Sequence, residues 1–115
     1  MESSAITEWH AHIYFGPESE AAAQVLREDI AARFTNVRIG SWHHRNVGPH
    51  TQPMYQVLFA AAQFDSFVPW LALNRRNLAV LVHPETGDAV TDHTDHAIWM
   101  GAVLAVNTEA LRRNS

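Results

Sequence analysis

The sequence contains no cysteine. That absence excludes disulfides, thiolate zinc sites, iron–sulfur ligation and thiol catalysis. Positive charge is scarce, with 8 Lys and Arg against 12 Asp and Glu and a formal charge of −4 at pH 7. No run of Lys and Arg is longer than a pair, as at Arg112–Arg113. A nucleic-acid binder would show a clustered basic face, so none is expected here. No apolar stretch approaches the roughly 18 consecutive residues that span a bilayer. The opening Met1-Glu2-Ser3-Ser4 lacks the basic and apolar regions of a signal peptide, and the expectation is a soluble cytoplasmic protein. Internal repeats, low-complexity tracts and Pro/Gly/Ser-rich linkers are also missing, so residues 1–115 read as one domain.

Histidine is what the chain has in excess. Its eight imidazoles equal Lys and Arg combined, and 47% apolar residues supply material for a core around them. From Thr7 to Phe15 the sequence alternates: Trp9, Ala11, Ile13 and Phe15 on one face, Glu8, His10, His12 and Tyr14 on the other. A period of two predicts a strand. After Gly16-Pro17, residues 18–34 carry Ala22, Val25, Leu26, Ile30 and Phe34 at three- and four-residue spacing, predicting an amphipathic helix. Residues 37–43 read as a second strand and 54–60 as a third. A short helix follows to about Arg76, with Asp65 as cap, Phe64 as staple and Pro69 limiting its length. The apolar run 78–82, ending at His83-Pro84, predicts a buried central strand. A turn at Thr86-Gly87-Asp88, a last strand over 96–101 and a short helix after Asn107 complete the chain.

The order β-α-β-β-α-β with an extra C-terminal strand predicts an α+β, ferredoxin-like split β-α-β fold. Both helices then cover one face of an antiparallel sheet. The other face, with His10, His12 and Tyr14, is left for a pocket or a partner chain, which makes a homodimer the expectation.

His10 and His12 lie about 6.6 Å apart on one strand face, close enough to converge on one ion. A half-exposed strand face also carries polar residues without any ligand, so the pair alone decides nothing. His83 ends a buried run, where an imidazole needs a partner or a strand terminus. In this topology the first and fourth strands are close, which brings His12 and His83 together. His50 sits in a rim loop, and His93 and His96 flank Asp95. His43 and His44 are adjacent, so at most one can face the same site. Imidazoles and carboxylates suit iron(II), zinc, nickel or copper. A three-histidine site and a two-histidine site with Glu8, Asp88, Asp92 or Asp95 both remain open. Trp9, Phe15, Phe59, Phe64 and Phe67 read as core, and Trp42, Tyr14, Tyr55 and Trp99 as pocket candidates with a polar handle.

Four segments carry a resemblance across nearly the whole chain: WHAHIYF at 9–15, GPHTQPM at 48–54, LVHPETGD at 81–88 and DHTDHAIWMG at 92–101. Together they resemble the DOPA 4,5-dioxygenase family. The resemblance implies a small, commonly dimeric, ferredoxin-like protein that cleaves a catechol ring beside its diol with dioxygen and non-haem iron(II). An isolated sample could hold another divalent ion such as zinc. Carried onto this chain, the histidine motifs fall on His10, His12, His50, His83, His93 and His96. His10, His12 and His83 are the expected metal ligands, with His50 or His93 as acid/base. Tyr14, Arg45 and His96 are the expected substrate contacts, Arg45 as the partner of a DOPA carboxylate. The rival readings are a metal- or aromatic-ligand-binding protein without turnover, a metal-dependent hydrolase and a cofactor-free monooxygenase. A phosphoesterase with paired His-x-Thr motifs is disfavoured, because no His-x-Thr occurs.

Overall fold

A computed structural model describes residues 2–113. Its elements run β1 (Glu8–Tyr14), α1 (Glu20–Arg33), β2 (Arg38–Ile39), β3 (Met54–Ala60), α2 (Phe64–Asn74), β4 (Val80–Pro84), α3 (Ala89–His93), β5 (Ile98–Met100) and α4 (Thr108–Arg113). One five-stranded sheet has the order β2-β3-β1-β4-β5 with every pair antiparallel. The first four strands have the ferredoxin-like arrangement, and β5 is the extra strand on the β4 edge. Among the described residues no helix is long and apolar enough to cross a membrane.

The alternation along β1 decides the layering. Ala11 and Ile13 enter the main core with Tyr55, Val57 and Phe59 of β3, Val80 and Val82 of β4, Ala23, Leu26 and Ile30 of α1, and Phe67 and Leu71 of α2. Each fully buried aliphatic side chain contributes about 1.5–3 kcal/mol. Helix α1 buries Ala23 where the spacing suggested Ala22, and Val25 is 38% exposed. Tyr55 belongs to this core and not to a pocket: it pairs with Ile13 across the ladder, and its hydroxyl donates to the Ala23 carbonyl at 3.0 Å. A Tyr55→Phe protein should therefore lose about 1 kcal/mol in urea unfolding, with its near-ultraviolet dichroism otherwise native.

Several boundaries differ from the sequence expectation. The second strand shrinks to two residues. Its ladder continues only as the Gly40 N–H to Gln56 carbonyl bond and the His43–Met54 bridge. Asp65 lies in the first turn of α2 without capping it; the Gln63 side chain instead accepts from the Ala60 N–H. Pro69 lies inside α2, which ends at Asn74 before Arg76 and Asn77 enter positive φ. Strand β4 runs on through His83 to Pro84, where the missing proline N–H falls on its last residue.

The second face of the sheet is not open. Beyond β5 the chain turns at Gly101, with φ of +81°, and folds back across this face. Val106 bridges to His50, the Asn107 N–H donates to the Pro49 carbonyl, and the Thr51 hydroxyl donates to the Ala105 carbonyl. Tyr14, Met54 and Leu81 are buried beneath this cover with Val47, Trp99 and Leu104. The chain's own C-terminal segment therefore covers part of the face that the sequence pattern left open.

Candidate functional site: a buried histidine cluster

Four elements bring five imidazoles together on this covered face. His10 and His83 are direct cross-strand partners in β1 and β4. His12, two residues on, points the same way by strand parity, and its ring stacks on His83 at 5.1 Å and 12°. His50 comes from the loop beneath the C-terminal segment, its ring 4.1 Å from that of His12. His93 comes from the last turn of α3, 4.0 Å from the His83 ring. His12, His50, His83 and His93 are buried, and His10 is half-buried at the rim.

Helix α3 has too few turns to show periodicity, and polar contacts fix it. The Asp88 side chain caps it through the Thr91 N–H, and the carboxylate of Asp92, 1% exposed, accepts from both the N–H (2.9 Å) and hydroxyl (2.5 Å) of Thr86. Asp92 thus positions the helix that carries His93. The Asp88 carboxylate is engaged by Thr91, and Asp95 is exposed. Glu8 stays with His10 at 3.2 Å and with Arg38 at 2.8 Å. Glu85 brings a second carboxylate that the sequence reading missed, 3.5 Å from His10 Nδ1 and 3.8 Å from His83 Nδ1. Strand parity was the available signal, since residues 83 and 85 share a face if β4 continues.

Burial holds these histidines neutral. It pushes His83 down to about 3 and His50 down to about 4, with the positive charge a protonated His93 would carry adding to both. His12 falls well below the usual imidazole range for the same reasons, burial foremost. His93 is lowered too, again chiefly by burial, partly offset by its bond to the Ala89 carbonyl. The tautomers follow from the backbone. His83 Nδ1 lies 2.9 Å from the Pro84 carbonyl and His93 Nδ1 lies 2.7 Å from the Ala89 carbonyl. Each Nδ1 must carry the hydrogen, which leaves each Nε2 a lone pair. This carbonyl-anchored arrangement is typical of metal-ligating histidines.

The donor set fits a cation. His12 Nε2 and His83 Nε2 face each other at 3.0 Å, close to the ~2.9 Å between two nitrogens at right angles on one ion about 2.0–2.1 Å away. His12 Nδ1 is buried with no hydrogen-bond partner, a costly arrangement unless the ring is held for another purpose. Ligand atoms of His10, His12 and His83, and separately of His12, His50 and His93, all lie within 4.8 Å of one another. Imidazole donors suit iron, zinc, copper or nickel.

Three other predicted residues lie differently. Tyr14 is 2% exposed, and its hydroxyl contacts His50 Nδ1 at 2.7 Å. It therefore orients His50, and burial pushes its phenol up so that it stays protonated. Arg45 is exposed in the loop before His50. His96 is exposed and lines a separate depression with Trp9, Pro84 and Thr86. His44 also stands apart, paired with Glu20 at 3.5 Å.

Known proteins resemble this chain along nearly its whole length. The sequence profile of the Dopa 4,5-dioxygenase family matches residues 9–110. An uncharacterised 21.2 kDa protein of Botryotinia fuckeliana is 35% identical over 98% of this chain and 68% of its own length. A DOPA 4,5-dioxygenase of Amanita muscaria is 33% identical over 90% of the chain, which spans about half (49%) of that protein. The crystal structure of a presumptive dioxygenase from Nostoc punctiforme superposes with a TM-score of 0.96 at 50% identity, covering 100% of this chain and 99% of the other. With a sheet, a histidine cluster and a family profile spanning nearly the same residues, the chain belongs to the Dopa 4,5-dioxygenase family of oxygenase enzymes.

Proposed function

We propose that the protein is an extradiol dioxygenase that opens the ring of L-DOPA or a related catechol with dioxygen, using iron(II) held by His10, His12 and His83. The observation that carries this reading is the 3.0 Å approach of His12 Nε2 to His83 Nε2, in a buried group of neutral imidazoles. The Glu8 and Glu85 carboxylates beside His10 offset the charge of a cation on that side. Iron(II) held there would supply Lewis acidity toward the catechol hydroxyls and a path for electrons from the catechol, the net reductant, to dioxygen, both of whose atoms enter the ring-opened product.

The remaining work falls to the protein. His50 and His93 are neutral and can accept a proton from a catechol hydroxyl. Their lowered basicity makes each ready to return it. Tyr14 fixes the His50 ring and the Ala89 carbonyl fixes the His93 ring, so both bases are oriented in advance. The C-terminal segment excludes bulk water from the cluster and strengthens polar interactions within it.

Oxygen uptake by protein loaded anaerobically with iron(II) and offered L-DOPA and simpler catechols tests the reading. Uptake with a new visible absorbance supports it. No uptake from verified iron-loaded protein would leave a binding protein, and anaerobic turnover of an ester by the zinc form would leave a hydrolase. The choice between the two histidine triads has its own test. His10→Ala should weaken metal binding by more than about tenfold, whereas His93→Ala should keep the metal and lose turnover. Metal content after dialysis decides, and the reverse pattern moves the ion to His12, His50 and His93.

A further inference from the structure

Beside the cluster lies a cavity of about 370 Å³, with His93 in its wall and Trp99, Val103, Leu104 and Val106 forming its apolar sides. That size suits a small aromatic ligand. Trp99 stacks on Tyr14 at 5.9 Å and 25°, so its ring is held from behind. The Thr94 hydroxyl, also in the wall, donates to the Val90 carbonyl. The one carboxylate in the lining is Asp95, which is exposed and has no ion-pair partner among the described residues. No arginine with a described side chain lines the cavity, and the chain has no lysine. Arg45, the sequence-based candidate for a substrate carboxylate, lies outside it.

We infer that this cavity seats the substrate's side chain and that Asp95 makes it select catechols with a cationic or neutral tail over those ending in a carboxylate. The inference rests on the proposed dioxygenase reading and names the substrate class for the same site. A tail ending in an ammonium group meets Asp95 with opposite charge. A tail ending in a carboxylate meets a like charge, with no cation among the described lining residues to offset it. Apolar walls accept the methylenes between ring and tail in either case.

Three catechols of matched length separate these terms: dopamine, 4-propylcatechol and 3-(3,4-dihydroxyphenyl)propanoate. The readouts are kcat/KM from oxygen uptake by the iron-loaded protein and equilibrium binding from tryptophan fluorescence. The expected order is dopamine, then 4-propylcatechol, then the propanoate, with a spread of about tenfold at low salt. The spread should shrink severalfold in 0.5 M salt, and in Asp95→Asn it should collapse to within about twofold. Equal or tighter binding of the propanoate, or an unchanged order in Asp95→Asn, overturns the inference. If no catechol consumes oxygen, the dioxygenase reading fails, and the binding series alone still decides what Asp95 selects.

Discussion

A His83→Ala protein is expected to fold, to lose metal affinity by at least about 100-fold and to show no measurable oxygen uptake with catechols. The magnitude follows from position. Changing a residue that merely orients a metal ligand costs about 10–100-fold in affinity or activity, and His83 lies at the centre of the cluster itself. Its ring is within 5.1 Å of those of His10 and His12 and 4.0 Å from that of His93. Its Nδ1–H is tied to the Pro84 carbonyl, which aims the Nε2 lone pair at His12. Truncation to alanine removes that lone pair and strips His12 Nε2 of its contact, in a ring whose Nδ1 is already unpartnered. The stability cost of the emptied volume and the unpaired carbonyl is about 1–3 kcal/mol. His83→Gln fills more of the volume and serves as a second variant should alanine prove too unstable. His44→Ala is the control, since that imidazole is exposed and outside the cluster. Metal analysis after dialysis, circular dichroism and oxygen uptake give the answer. Full metal retention in a folded His83→Ala protein would remove His83 from the site.

The sequence reading succeeded where the physics is periodic or topological. Alternation in β1 separated Ala11 and Ile13 from His10 and His12 because one face meets helices and the other does not. The split β-α-β order alone placed β4 beside β1, and thereby His83 beside His12. It failed where contacts are aperiodic. Helix α3 has five residues, its ends set by Asp88 and its seat by the Asp92–Thr86 pair, so no apolar spacing announces it. His96 falls three residues past His93, beyond the end of that helix, and so leaves the cluster's face. The closure of the second face depends on the His50–Val106 bridge, a contact between distant residues in irregular segments. Tyr14 and Tyr55 look alike as amphipathic aromatics. Alternation along β1 already put Tyr14 on the histidine face, whereas only the register, with Ile13 opposite Tyr55, assigns Tyr55 to the core.

Metal-free protein is expected to lose stability steeply as pH falls from 7 to 5, and bound metal is expected to shift that loss to lower pH. The unfolded chain protonates histidine near pH 6.5. In the folded protein burial pushes His50 down to about 4 and His83 down to about 3, and lowers His12 and His93 as well. Below pH 6.5 the unfolded state therefore binds more protons than the folded state, and its free energy falls relative to the native one. The stabilisation from neutral histidines is complete above pH 6.5, and it is lost as pH falls toward the folded values near 4 and 3. Each such histidine contributes a slope of up to about 1.4 kcal/mol per pH unit, so two reach almost 3 and cost about 4 kcal/mol together by pH 5. Against a total stability of about 5–15 kcal/mol, that loss is enough to unfold a marginal domain. Carboxylates do not account for it, because Glu8, held low chiefly by its bond to His10, titrates below this window. Metal ligation requires the same imidazoles to be unprotonated, so proton and ion compete for one set of nitrogens. Urea unfolding at half-unit steps from pH 7 to 5, with chelator and again with zinc, measures both effects. A flat profile in chelator would show that the four imidazoles are solvated, and the buried cluster on which the site depends would be wrong.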